Sequence, residues 1–397
     1  MQRRLEIAVI GAGVAGLAHA IMLRQLGHKV VVHERFATSR PLGSGLMIQP
    51  TGLVALDRLG LRAAIEGLGH RIERLHGTTT AGRTIFDLGY GSLGSDWYAV
   101  AVHRAALHNA LWRGFEQSGA GFEAGCDVAA VEEVAAGGVR LIDRQGRRTP
   151  TYDLVIDGAG SRSPVRAWVT KRPARPFTYG AVWATVSDAG FAPAALTQRY
   201  VAARIMIGHL PVGRIAADGT PLAALFWSLK PSDHNAWRNG FAHWQAAVMQ
   251  LWPALEPALQ SLTSPDDFTL AGYQHFTADR LSRGPVVLTG DSAHCTSPQL
   301  GQGANHALID AVILADALAD TRAGSGDLPA ALRRYEQARR RHVRFYQLVS
   351  AAMTPFFQSD SKALATLRDV SFDRMKMIPY LHREMLRTLA GIKTGFF

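Results

Sequence analysis

Cysteine is nearly absent: Cys126 and Cys295 are the only two in 397 residues. Two thiols give neither a disulfide framework nor zinc-ligand spacing, so no metal is expected, and the chain suits a reducing cytoplasm. Charge is thin as well, at 19% against 47% apolar residues, which excludes a disordered chain. No stretch reaches the roughly 20 clean apolar residues of a membrane span. The apolar opening Leu5–Ile10 is cut short by glycine, so neither an integral membrane protein nor a signal peptide is expected. Acid is the minority charge: 32 Asp and Glu against 43 Lys and Arg leave a net +11. That excess is spread along the chain, apart from a run between Arg333 and Arg344 that reads as a solvated helix face. No interleaving of aromatic and basic residues suggests nucleic acid as a partner.

Glycine, in contrast, is abundant and informatively placed. Leu5–Ile10 reads as a buried strand, Val14–Leu26 as a helix stopped by Gly27, and Lys29–His33 as a second strand, together one βαβ unit. Between the first strand and the helix lies Gly11-Ala12-Gly13-Val14-Ala15-Gly16. Here Gly11 permits a tight turn, Gly13 close approach of a pyrophosphate, and Gly16 close packing of helix on strand. The helix start offers unpaired N–H groups and a positive dipole end to phosphate. Glu34 ends the second strand, where an acid accepts from ribose hydroxyls, and Arg35 follows it. This turn alone does not distinguish one dinucleotide from another.

A second constellation narrows the choice. The apolar run Pro285–Thr289 delivers Gly290-Asp291-Ser292-Ala293-His294 at a strand's carboxyl end, where ligands bind in open α/β sheets. Asp291 is suited to ribityl hydroxyls. Pro298, Gly301, Gln302, Gly303, Ala304 and Asn305 then precede a long helix. The bare N–H groups of this glycine-rich turn would face the flavin pyrimidine edge, where negative charge collects on reduction. Between residues 177 and 229 the pattern changes to alternating, aromatic-rich segments at Ala181–Val186, Thr197–His209 and Ala223–Leu229, which predict an antiparallel sheet. The expected fold is therefore α/β with an α+β insert. A Rossmann-like βαβ domain (1–175 and 276–345) is split by a mostly antiparallel substrate sheet (176–275) and followed by C-terminal helices (346–397).

With Gly11–Gly16 and Gly290–Asn305 in this order, the chain resembles the single-component (group A) FAD-dependent aromatic hydroxylases, the para-hydroxybenzoate hydroxylase-like monooxygenases. The likeness runs over most of the chain. Gly43-Ser44-Gly45-Leu46 with Gln49-Pro50 resembles the family's loop beside the isoalloxazine, and Arg104 its flavin-contacting arginine. The resemblance implies FAD as cofactor, NAD(P)H as transient reductant and O2 as co-substrate. It further implies hydroxylation of an aromatic or polyketide-like small molecule through a flavin C4a-hydroperoxide. Pro298, Gly301 and Gly303 would line the oxygen side. Candidate substrate contacts in the sheet are Trp183, Tyr200, Arg204, Met206, His209 and Trp227, with Phe226 as a further wall. Arg204 suits a carboxylate, and Tyr200, Arg204, His209 and His76 are candidates for a phenol-activating group, whereas His294 reads as support for its loop. A monomer or homodimer is expected.

One departure stands out. The family's middle motif places an aspartate where this chain has Ala159, within Asp157-Gly158-Ala159-Gly160-Ser161-Arg162. Asp157, two places earlier, or a water is the expected substitute. Because that motif is linked to both FAD and NAD(P)H, its loss keeps an alternative open: an FAD-dependent dehydrogenase or reductase without oxygen insertion.

Overall fold

In the computed structural model, which describes residues 4–38, 43–188, 190, 194–319 and 328–395, the expected βαβ unit forms the middle of a six-stranded sheet. Its order is Ser282–Arg283, Val286–Leu288, Leu154–Asp157, Glu6–Ile10, Lys29–Glu34 and Gly121–Ala124. All neighbours are parallel except the first pair. Ile7 to Ile10 and Leu154 to Asp157 are buried throughout, because helices cover both faces of a parallel sheet. The Val14–Gln25 helix packs on the Gly303–Ala319 and Arg104–Ser118 helices. A small sheet of Gly45–Ile48, Ala99–His103 and His70–Ile72 stands beside them.

The second sheet has seven strands: Thr269–Ala271, Gly180–Ser187, Leu222–Leu229, Ile205–Gly213, Ala195–Val201, Arg74–Thr79 and Thr84–Gly89. It is antiparallel except where Ala195–Val201 runs beside Arg74–Thr79. It thus recruits two strands from well before the expected 176–275 insert. Thr197–His209, read as one segment, is a hairpin instead. Its turn passes through Ala202 with φ of 49°, and no glycine, proline or asparagine announces it.

The two faces of this sheet bury different cores. Ile207, Leu225 and Trp227 meet Trp237, Trp244 and Phe268 under a helical layer. Met206, Leu210, Ala224 and Phe226 instead face Met47, Phe357 and Leu389. A single helix, Leu328–Phe357, runs across the boundary expected at residue 346, since nothing in its sequence breaks it before Pro355. Among the described residues, no helix is long and apolar enough to cross a membrane, and no cluster of His, Cys, Asp and Glu is fit to hold a metal ion.

Candidate active site

The three glycines of the first turn meet three different constraints. Gly11 takes φ of 92° and its N–H donates to the His33 carbonyl at 2.8 Å, locking the turn onto the second strand. A Cβ on Gly16 would stand 1.8 Å from the Gly11 carbonyl oxygen, whereas one on Gly13 would meet nothing within 4 Å. Gly16 is therefore closed by the protein itself, while Gly13 borders open space at the helix start, a cradle shaped for phosphate oxygens. Val14 and Ala15 begin that helix. Glu34 is buried; its carboxylate accepts from the Ala12 N–H at 2.8 Å and the Phe36 N–H at 3.1 Å, so it shapes the turn as well as facing it. Arg35 is exposed and lies over the Phe36 ring.

The second constellation closes on the first. Gly290 has φ of 56°, and a Cβ there would stand 3.1 Å from the Ala15 Cβ. It aims Asp291 into the groove beside Gly303, whose own Cβ position is 4.0 Å from the Asp291 carboxylate. Asp291 is solvent-accessible but deep among protein atoms. That setting raises its pKa above the ordinary 3.8, against the pull of His294, Arg104 and Arg166. Arg104 leaves the helix start at the Gly43–Ser44 loop: a Cβ on Gly43 would come within 3.1 Å of its side chain.

The turn before the long helix is pinned from beneath. The Asn305 Oδ1 accepts from the Gln49 N–H at 2.8 Å, and its Nδ2 donates to the carbonyls of Met47 and Gly301 at 3.1 and 2.8 Å. Tyr90 donates its hydroxyl proton to the Gln49 side chain. Gly52 leaves room for this knot, since a Cβ there would strike the Asn305 Oδ1 at 1.9 Å. Pro298 opens the preceding turn, Gly301 holds φ of 61°, and Ala304 lies in the first turn of the helix. Tyr90 and Gly52 carry no motif signal; only the fold reveals them.

Asp310 ties the back of the Gly290 turn. It accepts from the Gly290 N–H at 2.7 Å, from His294 Nε2–H at 2.8 Å and from Arg339 Nε–H at 2.6 Å, all three side chains being buried. Burial alone would push its carboxyl up; the charges of His294 and Arg339 hold it far below the ordinary range instead.

Asp157 does not take the place that Ala159 leaves. It is fully buried and turned into its own loop, accepting from the Ala159 N–H at 3.0 Å and the Ser163 hydroxyl. The bridging belongs to Arg166. Its guanidinium donates to the carbonyls of Ser161, Asp291 and Ser292 at 2.8–2.9 Å, fastening the middle loop to the second constellation. Burial lifts the Asp157 carboxyl from 3.8 to about 6. The native state therefore prefers the protonated acid, and this stability is full below about pH 4 and lost as pH rises through 6. In Asp157→Asn, urea melts should lose a slope of about 2–3 kcal/mol across that window; an unchanged slope would exclude Asp157 as its source.

The sheet residues sort by face. Trp183, Met206 and Phe226 lie on the side that meets Met47. Trp183 lies tilted against Phe226 with centroids 4.5 Å apart and donates its indole N–H to the Tyr273 hydroxyl at 2.9 Å. Gly45 lets this face approach: a Cβ there would hit Val212 at 2.5 Å and Ala224 at 3.0 Å. Tyr200 shares the side but is spent on packing against Phe86, Phe357 and the Arg368 guanidinium, and burial raises its phenol further from ionisation.

Three expected substrate contacts are corrected. Trp227 stands edge-on to Trp244 beneath the helical layer. His209, paired with Leu225, points to that same far side, and burial drives its imidazole neutral. Arg204 sits in the hairpin turn with 68% of its side chain exposed, 3.4 Å from Asp360. Arg204→Ala should therefore change stability by less than about 0.5 kcal/mol and leave substrate KM as in wild type; a large KM increase in steady-state kinetics would return it to the site. His76 pairs across strands with Asp87 and is partly exposed. A cavity of about 370 Å3 opens at the edge of the Gly180–Ser187 strand, lined by Gly43, Ser44, Trp183, Thr185 and Thr269.

The FAD binding domain model matches residues 4–349. A 3-amino-4-hydroxybenzoate 2-monooxygenase of Streptomyces cremeus is 32% identical over 357 residues, 85% of this chain and 84% of that protein. An FAD-dependent urate hydroxylase of Klebsiella pneumoniae is 29% identical over 351 residues, 86% of this chain and 87% of that protein. Among solved structures, Klebsiella pneumoniae HpxO complexed with FAD and uric acid superposes with a TM-score of 0.79 at 24% identity, covering 98% of each chain, which shows a shared fold. The glycine cradle at Gly13, the aspartate poised at Gly303 and the pinned helix start all fit FAD, and with these matches the chain belongs to the FAD-binding-domain family, among its single-component aromatic hydroxylases.

Proposed function

We propose that this chain is an FAD-dependent monooxygenase that uses NAD(P)H and O2 to hydroxylate an electron-rich aromatic small molecule. The observation that carries it is convergence. Gly290 rests on Ala15 and Asp291 reaches Gly303, so the pyrophosphate turn, the ribityl aspartate and a helix N-terminus border one groove. Bound FAD would supply the redox chemistry, with two electrons from NAD(P)H reducing O2 so that one oxygen atom enters the substrate and the other leaves as water. The protein supplies placement. Gly11–Gly16 and Glu34 hold the adenosine diphosphate half, Arg104 and Asp291 the flavin half, and the N–H groups at Gly301–Gly303 stabilise negative charge on the pyrimidine edge. Trp183 and Phe226 offer an apolar ring wall that keeps water from the reacting atoms. The relatives named for 3-amino-4-hydroxybenzoate and urate support an aromatic substrate bearing amino or hydroxyl groups. A cytoplasmic monomer or homodimer completes the reading.

Purified protein should be yellow and release FAD. With NADH or NADPH it should bleach, and with its aromatic substrate it should consume O2 in step with hydroxylated product. O2 uptake that yields only hydrogen peroxide across electron-rich aromatics would overturn the hydroxylase reading; fast bleaching would show that Ala159 leaves reduction intact.

A further inference from the structure

The end of the chain carries an unexpected concentration of donors. Four consecutive carbonyls, Thr388 to Gly391, are each taken by a side chain from elsewhere. Tyr346 donates its hydroxyl proton to Thr388 at 3.0 Å, and Gln302 its Nε2–H to Leu389 at 2.8 Å. Thr51 donates to Ala390 from both its N–H and its hydroxyl, at 3.4 and 3.3 Å. His342 Nε2–H donates to Gly391 at 2.9 Å. The His342 Nδ1 in turn accepts from Arg339, the partner of Asp310. Gly391 adopts φ of 89°, and a Cβ on it would stand 2.1 Å from the Thr51 hydroxyl. Two of these donors flank the flavin turn: Gln302 lies inside Gly301–Gly303, and Thr51 follows Gln49, whose N–H is bound by Asn305.

We propose that the C-terminal turn Thr388–Gly391 is a positioning element of the flavin site, acting through Gln302 and Thr51 to fix the aim of the Gly301–Gly303 N–H groups. It rests on the FAD reading above. With the Gln302 side chain held backward on Leu389, the backbone on either side of it is committed to the groove. A helix start can stabilise reduced flavin only if its donors are aimed before the charge appears. Releasing Gln302 leaves a buried carbonyl without its donor and lets the turn drift.

The test uses full-length protein and FAD as probe. Gln302→Leu removes the donor, and Gly391→Ala forces the turn off Thr51. Both should weaken FAD binding roughly tenfold and make the bound flavin's midpoint potential more negative, beyond any loss of apoprotein melting temperature. Wild-type FAD affinity and potential in both single variants would overturn the proposal. So would a lower apoprotein melting temperature with the potential unmoved, the mark of a plain helix cap. Failure of wild-type protein to take up FAD would instead defeat the cofactor reading.

Discussion

Asp310→Ala should cost about 3–5 kcal/mol, much of the stability of an ordinary domain. The loss is not of one hydrogen bond. Arg339 would keep a fully buried charge with no carboxylate beside it, and the Gly290 N–H and His294 would lose their acceptor together. The expected result is a large drop in the urea midpoint and protein that no longer retains FAD, because the Gly290 turn is what the carboxylate holds. The double variant Asp310→Leu with Arg339→Met should recover part of the stability, since a well-packed apolar pair replaces a buried ion pair at little cost while the Gly290 N–H and His294 stay unpaired. It should not recover FAD affinity in full, because the Gly290 N–H stays unpaired. Alanine at 310 with a wild-type urea midpoint would refute the assignment. The pH response has a definite sign. Because the Asp310 carboxyl is held far below its ordinary value, its contribution is present above about pH 4 and lost as the solution is acidified.

Gly16→Ala should be almost as severe, and Gly13→Ala instructive beside it. A methyl on Gly16 collides with the Gly11 carbonyl at 1.8 Å, and backbone cannot yield as a flexible side chain does. The helix must move off the turn, at about 3 kcal/mol, and FAD affinity should fall roughly 100-fold or more. A methyl on Gly13 meets no protein atom within 4 Å. That apoprotein should melt like wild type and still bind FAD poorly, because the methyl occupies the space a phosphate would approach. Fluorescence titration with FAD, paired with apoprotein melting curves, separates the two. Gly13→Ala with wild-type FAD affinity would remove the pyrophosphate from this turn.

Sequence pattern discloses what is local. A strand, a glycine turn and a helix within 34 residues specify one another, so the dinucleotide unit and the Gly290–Asn305 segment are legible without a structure. Pairings across long separations are not. Arg166 reaches Ser292, and Gln302 reaches Leu389, with no spacing rule to announce either. Face assignment fails for a related reason. Leu222–Leu229 is buried on both sides, so its alternation does not say whether Phe226 or Trp227 turns to the cofactor side; only the register with Ile207 decides. Arg204 falls in a turn and not on a strand because Ala202 adopts a conformation that alanine rarely takes, which no sequence pattern announces.

The interleaving of the two sheets bears on how the molecule comes into being. The strand Leu154–Asp157 pairs on one side with Ile7–Ile10 and on the other with Val286–Leu288. Arg74–Thr79 waits for Ala195–Val201. During synthesis the first half of the nucleotide sheet thus emerges with an open edge that stays open for more than a hundred further residues. Neither sheet can be completed before its later strands emerge, so the chain should fold late, with that edge exposed to pairing with neighbouring chains until then.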